Sequence, residues 1–155
     1  MIEARITLTQ PLRNQRQFVA ETGTGHHLLL DDAAGGTGAK PIELVAVALA
    51  GCTAFDVINI LRKKRQQVTG YEVHVEAEQV GEPPQVFSRV RIRHLIRGYE
   101  VEPGAVEAAI RLSEEKYCSV GAMVRKTAEF ETTYEITRED AAEPAPAEEL
   151  VGARS

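Results

Sequence analysis

The feature that most constrains this chain is the stretch 41–65, PIELVAVALAGCTAFDVINILRKKR. Between Leu44 and Leu61 every position is apolar except Gly51, Thr53, Asp56 and Asn59. Pro41 suits a first helical turn, where its missing N–H would have no partner. Glu43 sets negative charge at the positive end of the helix dipole, and Arg62, Lys63, Lys64 and Arg65 set positive charge at the other. The stretch therefore predicts one helix of roughly 25 residues, about 37 Å long. A helix apolar on nearly every side is expected to be buried on nearly every side. A membrane span would use a similar run. Asp56 and Asn59 lie inside it and no second such run follows, so a core helix is expected and no membrane partner.

The remaining chain is short enough to serve that helix as one domain: 155 residues suffice for a single hydrophobic core. A net charge of −5 excludes the basic footprint of a nucleic-acid binder. The N-terminus MIEARITL is charged and strand-like, unlike a signal peptide with a basic start and apolar middle, which predicts a cytoplasmic location. Reduced thiols are the rule there, so Cys52 and Cys118 read as packing residues or redox chemistry rather than a structural staple. Two cysteines alone do not make a four-ligand structural zinc site.

Residues 2–8 alternate, with Ile2, Ala4, Ile6 and Leu8 on one face, and predict a half-buried strand ended by Pro11 and Asn14. Residues 16–21 and 26–30 predict two more strands around the turn TGTG, together an antiparallel meander. His26 and His27 read as polar residues beside that turn. The run GGTGAK before the helix lacks the full phosphate-loop pattern and reads as a flexible connector. After the helix, Gly70 marks a stop. Residues 71–80 and 86–97 alternate as two strands joined through GEPP, the second ended by Gly98. A hairpin symmetric about Pro83 and Pro84 sets Glu78 opposite Arg89 and Glu76 opposite Arg91. Each such pair contributes roughly 0.2–1 kcal/mol, so the arginine stripe reads as a charge-matched, solvated face. Residues 103–115 follow helical spacing, Ser119 is placed to cap a short helix to Arg125, and residues 129–136 alternate as a last strand. Residues 1–137 form the expected domain. Residues 138–155, rich in alanine, proline and glutamate, read as a disordered tail.

Cys52 taken alone is a small packing residue. Asp56 and Asn59, at i+4 and i+7, share its helix face, so the polar line either hydrogen-bonds neighbouring backbone or lines a site. Asp56 would oppose a thiolate unless neutralised. Cys118 lies at a helix boundary, where a helix N-terminus favours a thiolate. A bridge between the two cysteines requires Cα atoms within roughly 7 Å, on which sequence separation is silent.

The segments P-x-E-L and A-x-A-G-C (Pro41, Glu43, Leu44, Ala48, Ala50, Gly51, Cys52), then DVINILRK, PPQVFSRV and LSEEKYCSV, resemble the OsmC/Ohr superfamily of osmotically inducible and organic hydroperoxide resistance proteins, in particular its YhfA-like branch. The resemblance covers about residues 2–136. It implies an α+β, OsmC-like fold, in which antiparallel sheets wrap a long buried central helix and two chains intertwine as a homodimer. It also implies a cysteine-based peroxidase. Cys52 would attack a small organic hydroperoxide, alkyl or lipid-derived, and become a sulfenic acid. Cys118 would condense with it to a disulfide. A dithiol reductant, such as a lipoyl protein, would restore both. No metal or bound cofactor is implied. The superfamily also uses a Glu and an Arg to hold the thiolate and orient the peroxide. Its Glu directly follows the motif proline, a position occupied here by Ile42, with Glu43 one residue later. Its Arg comes from the N-terminal strands, where Arg13 and Arg16 are candidates and Arg16 the better one. The alternative is a non-catalytic dimer of the same fold that binds an apolar ligand or senses redox state.

Overall fold

The structure, a computed structural model, describes residues 1–9, 16–32 and 36–140. Pro11, Arg13, Asn14, Gly35 and the tail beyond Asp140 lie outside the described residues. Strands β1 (Ala4–Leu8), β2 (Phe18–Thr22) and β3 (His27–Leu30) precede helix α1 (Pro41–Lys63). Strands β4 (Gln67–Gln79) and β5 (Phe87–Tyr99), helix α2 (Pro103–Leu112), a π-helical turn (Ser113–Tyr117), helix α3 (Ser119–Val124) and β6 (Glu129–Arg138) complete the order. The first three strands form the expected antiparallel meander β1-β2-β3. The second sheet has the order β4-β5-β6. β6 joins it parallel to β5, so this sheet is mixed rather than wholly antiparallel. Alternation reveals which face a strand buries but not which way it runs, and the helices between β5 and β6 supply the crossover that a parallel pairing requires.

The charge ladder on the outer face follows the expected register. Glu76 pairs with Arg91 and Glu78 with Arg89. Arg91 reaches Glu78 at 3.0 Å and Glu76 at 3.8 Å. On the other face β5 buries Phe87, Val90, Ile92, His94 and Ile96, which meet α1. Both expected glycine stops fall inside strands instead. Gly70 lies at a register shift in β4, and Gly98 lets β5 cross close to β4: a Cβ there would sit 2.1 Å from the Gln67 carbonyl oxygen. The bareness of glycine here permits close backbone approach within the pair.

Helix α1 is long and apolar enough to cross a membrane, but its buried residues, Leu49, Thr53, Val57 and Leu61, form a single i, i+4 stripe. Leu49 packs with Phe87, Val90, Ile92 and Cys118; Val57 and Leu61 pack with Ile96, Val106, Ala109 and Ile110. Burial on every side is not what the single chain shows. Val47 is 63% and Phe55 73% exposed on the opposite face. The N-terminal sheet likewise leaves Ile6, Leu8, Leu28 and Leu29 exposed, and no described residue of it enters either core cluster.

The glycine-rich connector is less loose than expected. The Asp31 carboxylate accepts from the Thr37 hydroxyl and from the Thr37 and Asp32 amides at 3.1 and 2.8 Å, and Asp31 N–H donates to the Ala39 carbonyl. At the other end the folded chain extends past the expected boundary. β6 runs to Arg138, and Glu139 is tied to Gly98 through its N–H and to Thr69 through its carboxylate.

His94 is fully buried between the two core clusters. Its Nδ1 lies 2.7 Å from the Tyr71 hydroxyl, and its Nε2 has no partner among the described residues. Burial lowers its pKa from 6.5 to about 4. The unfolded chain therefore takes up a proton that the folded chain refuses, and stability present above pH 6.5 falls as pH drops towards 4. The loss is roughly 3 kcal/mol at about 1.4 kcal/mol per pKa unit. Denaturant titrations between pH 7 and pH 4 are expected to show this loss in the wild type and a shallower one in His94→Gln. Equal slopes would mean that His94 is solvated.

Candidate active site

The fold brings Cys52 and Cys118 together, although 66 positions separate them (118 − 52). The Cys52 and Cys118 sulfurs and an Asp56 carboxylate oxygen all lie within 4.8 Å of one another. Both cysteines are free thiols. Cys52 is half-buried on α1, one residue from the buried stripe. Asp56 follows one turn later on the same face. Cys118 is buried and comes from the junction between the π-helical turn and α3.

That junction explains how Cys118 is positioned. α2 does not continue regularly to Glu115 as its spacing predicts. It widens at Ser113 into a turn closed by the Cys118 N–H on the Ser113 carbonyl at 2.8 Å, a bond spanning five residues. Such π-turns recur at functional sites, because they re-aim side chains without breaking the helix. Ser113 opens the turn while its own N–H still bonds the Ala109 carbonyl, so it continues the buried stripe of Val106, Ala109 and Ile110 inward. Fully buried, its hydroxyl lies 3.0 Å from Asp56 Oδ2 and 3.1 Å from Thr53 Oγ1. With one hydroxyl proton to give, Ser113 donates to the carboxylate and accepts from Thr53.

The cap of α3 also differs from expectation. Ser119 is its first residue, and Cys118 caps it: the Gly121 N–H donates to Cys118 Sγ at 3.2 Å. Gly121 must stay small, since a Cβ there would come within 3.1 Å of that sulfur. The amide does not make Cys118 a ready thiolate, as its helix-boundary position had suggested. Burial pushes the thiol up to about 11. A hydrogen bond with Cys52 and the nearby Cys52 and Asp56 charges add to this, and the Gly121 amide opposes it only in part. Burial and Asp56 likewise hold Tyr71 well above the usual phenol range.

Glu43 and Arg16 stand elsewhere in the single chain. Glu43 caps α1, its Oε2 accepting from the Lys40 N–H at 2.9 Å, about 13 Å along the helix from Cys52. Arg16 is exposed, with Nε 2.7 Å from Asp32 Oδ2. It borders a pocket shared with Ile6, Phe18, Lys40 and Pro41, at the start of α1. Ile42 joins the apolar surroundings of the cysteine pair's cluster. His26 and His27 are exposed turn-side residues, His26 Nδ1 lying 3.0 Å from Thr24 Oγ1. Sequence reasoning missed Ser113, Thr53 and Gly121 as parts of the site. The polar Thr53 and Asp56 inside the apolar run were the available signal. Asp56 also opens onto a pocket of about 370 Å³ lined by Asn59, Ile60, Lys63, Lys64, Leu112 and Tyr117.

A family model described as OsmC-like protein matches residues 34–133, which include both cysteines. Protein YhfA of Escherichia coli (strain K12) is 37% identical over 119 residues, 77% of this chain and 89% of that protein. The crystal structure of a hypothetical protein from Aquifex aeolicus VF5 superposes with a TM-score of 0.80 at 28% identity, over 90% of this chain and 98% of that one. An organic hydroperoxide resistance protein from Elizabethkingia anophelis superposes with a TM-score of 0.64 at 16% identity, over 88% and 96%, a likeness of fold alone. The two-sheet α+β fold, with its cysteine-bearing central helix, thus has a home: the chain belongs to the OsmC-like family.

Proposed function

We propose that the protein is a cytoplasmic thiol peroxidase that reduces organic hydroperoxides, with Cys52 as peroxidatic and Cys118 as resolving cysteine. The observation that carries this reading is the contact between two free thiols of unequal character. Cys118, its pKa near 11, keeps its proton at neutral pH and is a poor first nucleophile. Cys52 is left to attack. Its thiolate takes the distal oxygen of the hydroperoxide, the O–O bond breaks, and the alkoxide leaves as the alcohol after gaining a proton. Cys118 then gives up its proton and attacks the Cys52 sulfenic acid. The S–S bond forms, hydroxide departs and leaves as water, and an external dithiol, a lipoyl group among the candidates, returns both thiols. The mostly apolar pocket beside Asp56 suits an alkyl chain.

The reading includes a homodimer. Two apolar surfaces are bare in one chain, the Val47–Phe55 face of α1 and one side of the N-terminal sheet, and neither meets the chain's own core. A second copy covers both if its helix lies against α1 and its N-terminal sheet wraps over. In that arrangement Arg16 and Glu43 serve the cysteine pair of the partner.

Three experiments test these statements. Reduced protein mixed with one equivalent of organic hydroperoxide is expected to lose both thiols to an intrachain disulfide. Cys118→Ser should stop at sulfenic acid, and Cys52→Ser should stay unoxidised. A wild-type rate no faster than free cysteine would remove the peroxidase reading and favour the ligand-binding alternative. Phe55→Glu is expected to shift the molecular mass by light scattering from dimer to monomer. A wild type that is already monomeric refutes the intertwined assembly. Arg16→Ala and Glu43→Gln are expected to slow the first oxidation step at least about tenfold while thiol content stays unchanged. Glutamine preserves the cap on α1, so a slow Glu43→Gln reports lost charge rather than a frayed helix.

A further inference from the structure

Asp56 is out of place in a pure thiol site. A carboxylate within 4.8 Å of two sulfurs disfavours the thiolate on either. Among the described residues no Lys, Arg or His is ion-paired with it; its hydrogen-bond donor is the buried, neutral Ser113. A cation placed among the three groups would turn their mutual repulsion into attraction.

We infer that the reduced Cys52–Cys118 pair and Asp56 form a binding site for a zinc-like divalent cation. The donor set is right for it, since two thiolates and a carboxylate are ordinary zinc ligands. The geometry is near what is needed. Ligands around tetrahedral zinc lie roughly 3.3–3.8 Å apart, so three atoms already within 4.8 Å close on the ion by movements of about an ångström. The ligands come from well-packed elements. Cys52 and Asp56 stand at i and i+4 on α1, and Cys118 is held by the π-helical turn behind it and the Gly121 amide ahead of it. The carboxylate is oriented from behind by Ser113, itself backed by Thr53, as second-layer groups orient ligands in metal sites. Three protein ligands leave one position open, which separates this site from the closed four-ligand structural type. Loading the dithiol exchanges one Zn²⁺ for two protons, with nothing oxidised or reduced. The disulfide form has no thiolate to offer, so metal and oxidant compete for the same sulfurs.

This inference does not rest on the peroxidase reading, because binding is measured on the dithiol protein with no peroxide present. Metal-stripped, reduced, full-length protein is titrated with zinc against a chromophoric chelator, and in parallel with cobalt(II). One zinc per chain is expected, with two protons released. The cobalt form should show tetrahedral visible bands and a near-ultraviolet thiolate-to-cobalt charge-transfer band. Cys52→Ser and Cys118→Ser should each weaken that band and the affinity. Asp56→Asn should keep the band but bind zinc at least about tenfold more weakly. The absence of stoichiometric zinc binding to the wild type overturns the proposal, as does cobalt binding without a charge-transfer band. Asp56→Asn binding as tightly as the wild type removes the carboxylate and overturns the three-ligand site. The wild-type titrations decide the matter even if a variant fails to fold.

Discussion

The core and the cysteine site depend on how one side of α1 packs on the β4–β5 face. Leu49, Thr53, Val57 and Leu61 repeat every fourth residue and lie against β5 at one end and α2 at the other. That seam excludes water along the helix. It also sets the rotation of α1 about its own axis, and hence the direction in which Cys52 and Asp56 point. β5 contributes the complementary stripe, and its outer face can carry Arg89, Arg91, Arg93 and Arg97 because its inner face is committed to the core.

The second dependence is on the segment between α2 and α3. The widened turn leaves Ser113 on the buried stripe that α2 already presents, and it sets where Cys118, which follows it, comes to lie. Its wide bond, from the Cys118 N–H to the Ser113 carbonyl, sets the buried thiol beside the helix that the buried hydroxyl also faces. The site is thus built by one regular element and one irregular one. The regular element presents two side chains a turn apart, and the irregular one brings the third.

Much of this was legible in the residues. The hairpin register followed from period-two alternation and the proline pair in the loop, because side chains of one strand can match those of the next in only one phase once charges must face charges. The helix followed from its apolar run and its charged ends, and the family motifs around the two cysteines singled out the two residues that the fold brings close. What stayed hidden shares a cause. The parallel direction of β6, the strand positions of Gly70 and Gly98, the π-turn at Ser113 and the capping role of Cys118 are all set by contacts between distant segments. Local periodicity carries no record of them. The bare face of α1 is the reverse case. Its apolar run gave the expectation of burial on nearly every side, and among the described residues of the single chain Val47 and Phe55 stay exposed.

The placement of Cys52 next to the buried stripe, rather than in it, has a consequence of its own. Successive residues of a helix are turned by about 100°, so Cys52 sits on the border between the side of α1 that its own fold has sealed and the side that carries Val47 and Phe55 outward. A group on such a border draws half of its surroundings from its own chain and half from whatever lies against the helix. In the proposed homodimer the polarity around its sulfur would belong to the assembly, and the local abundance of the protein would become a variable in its chemistry.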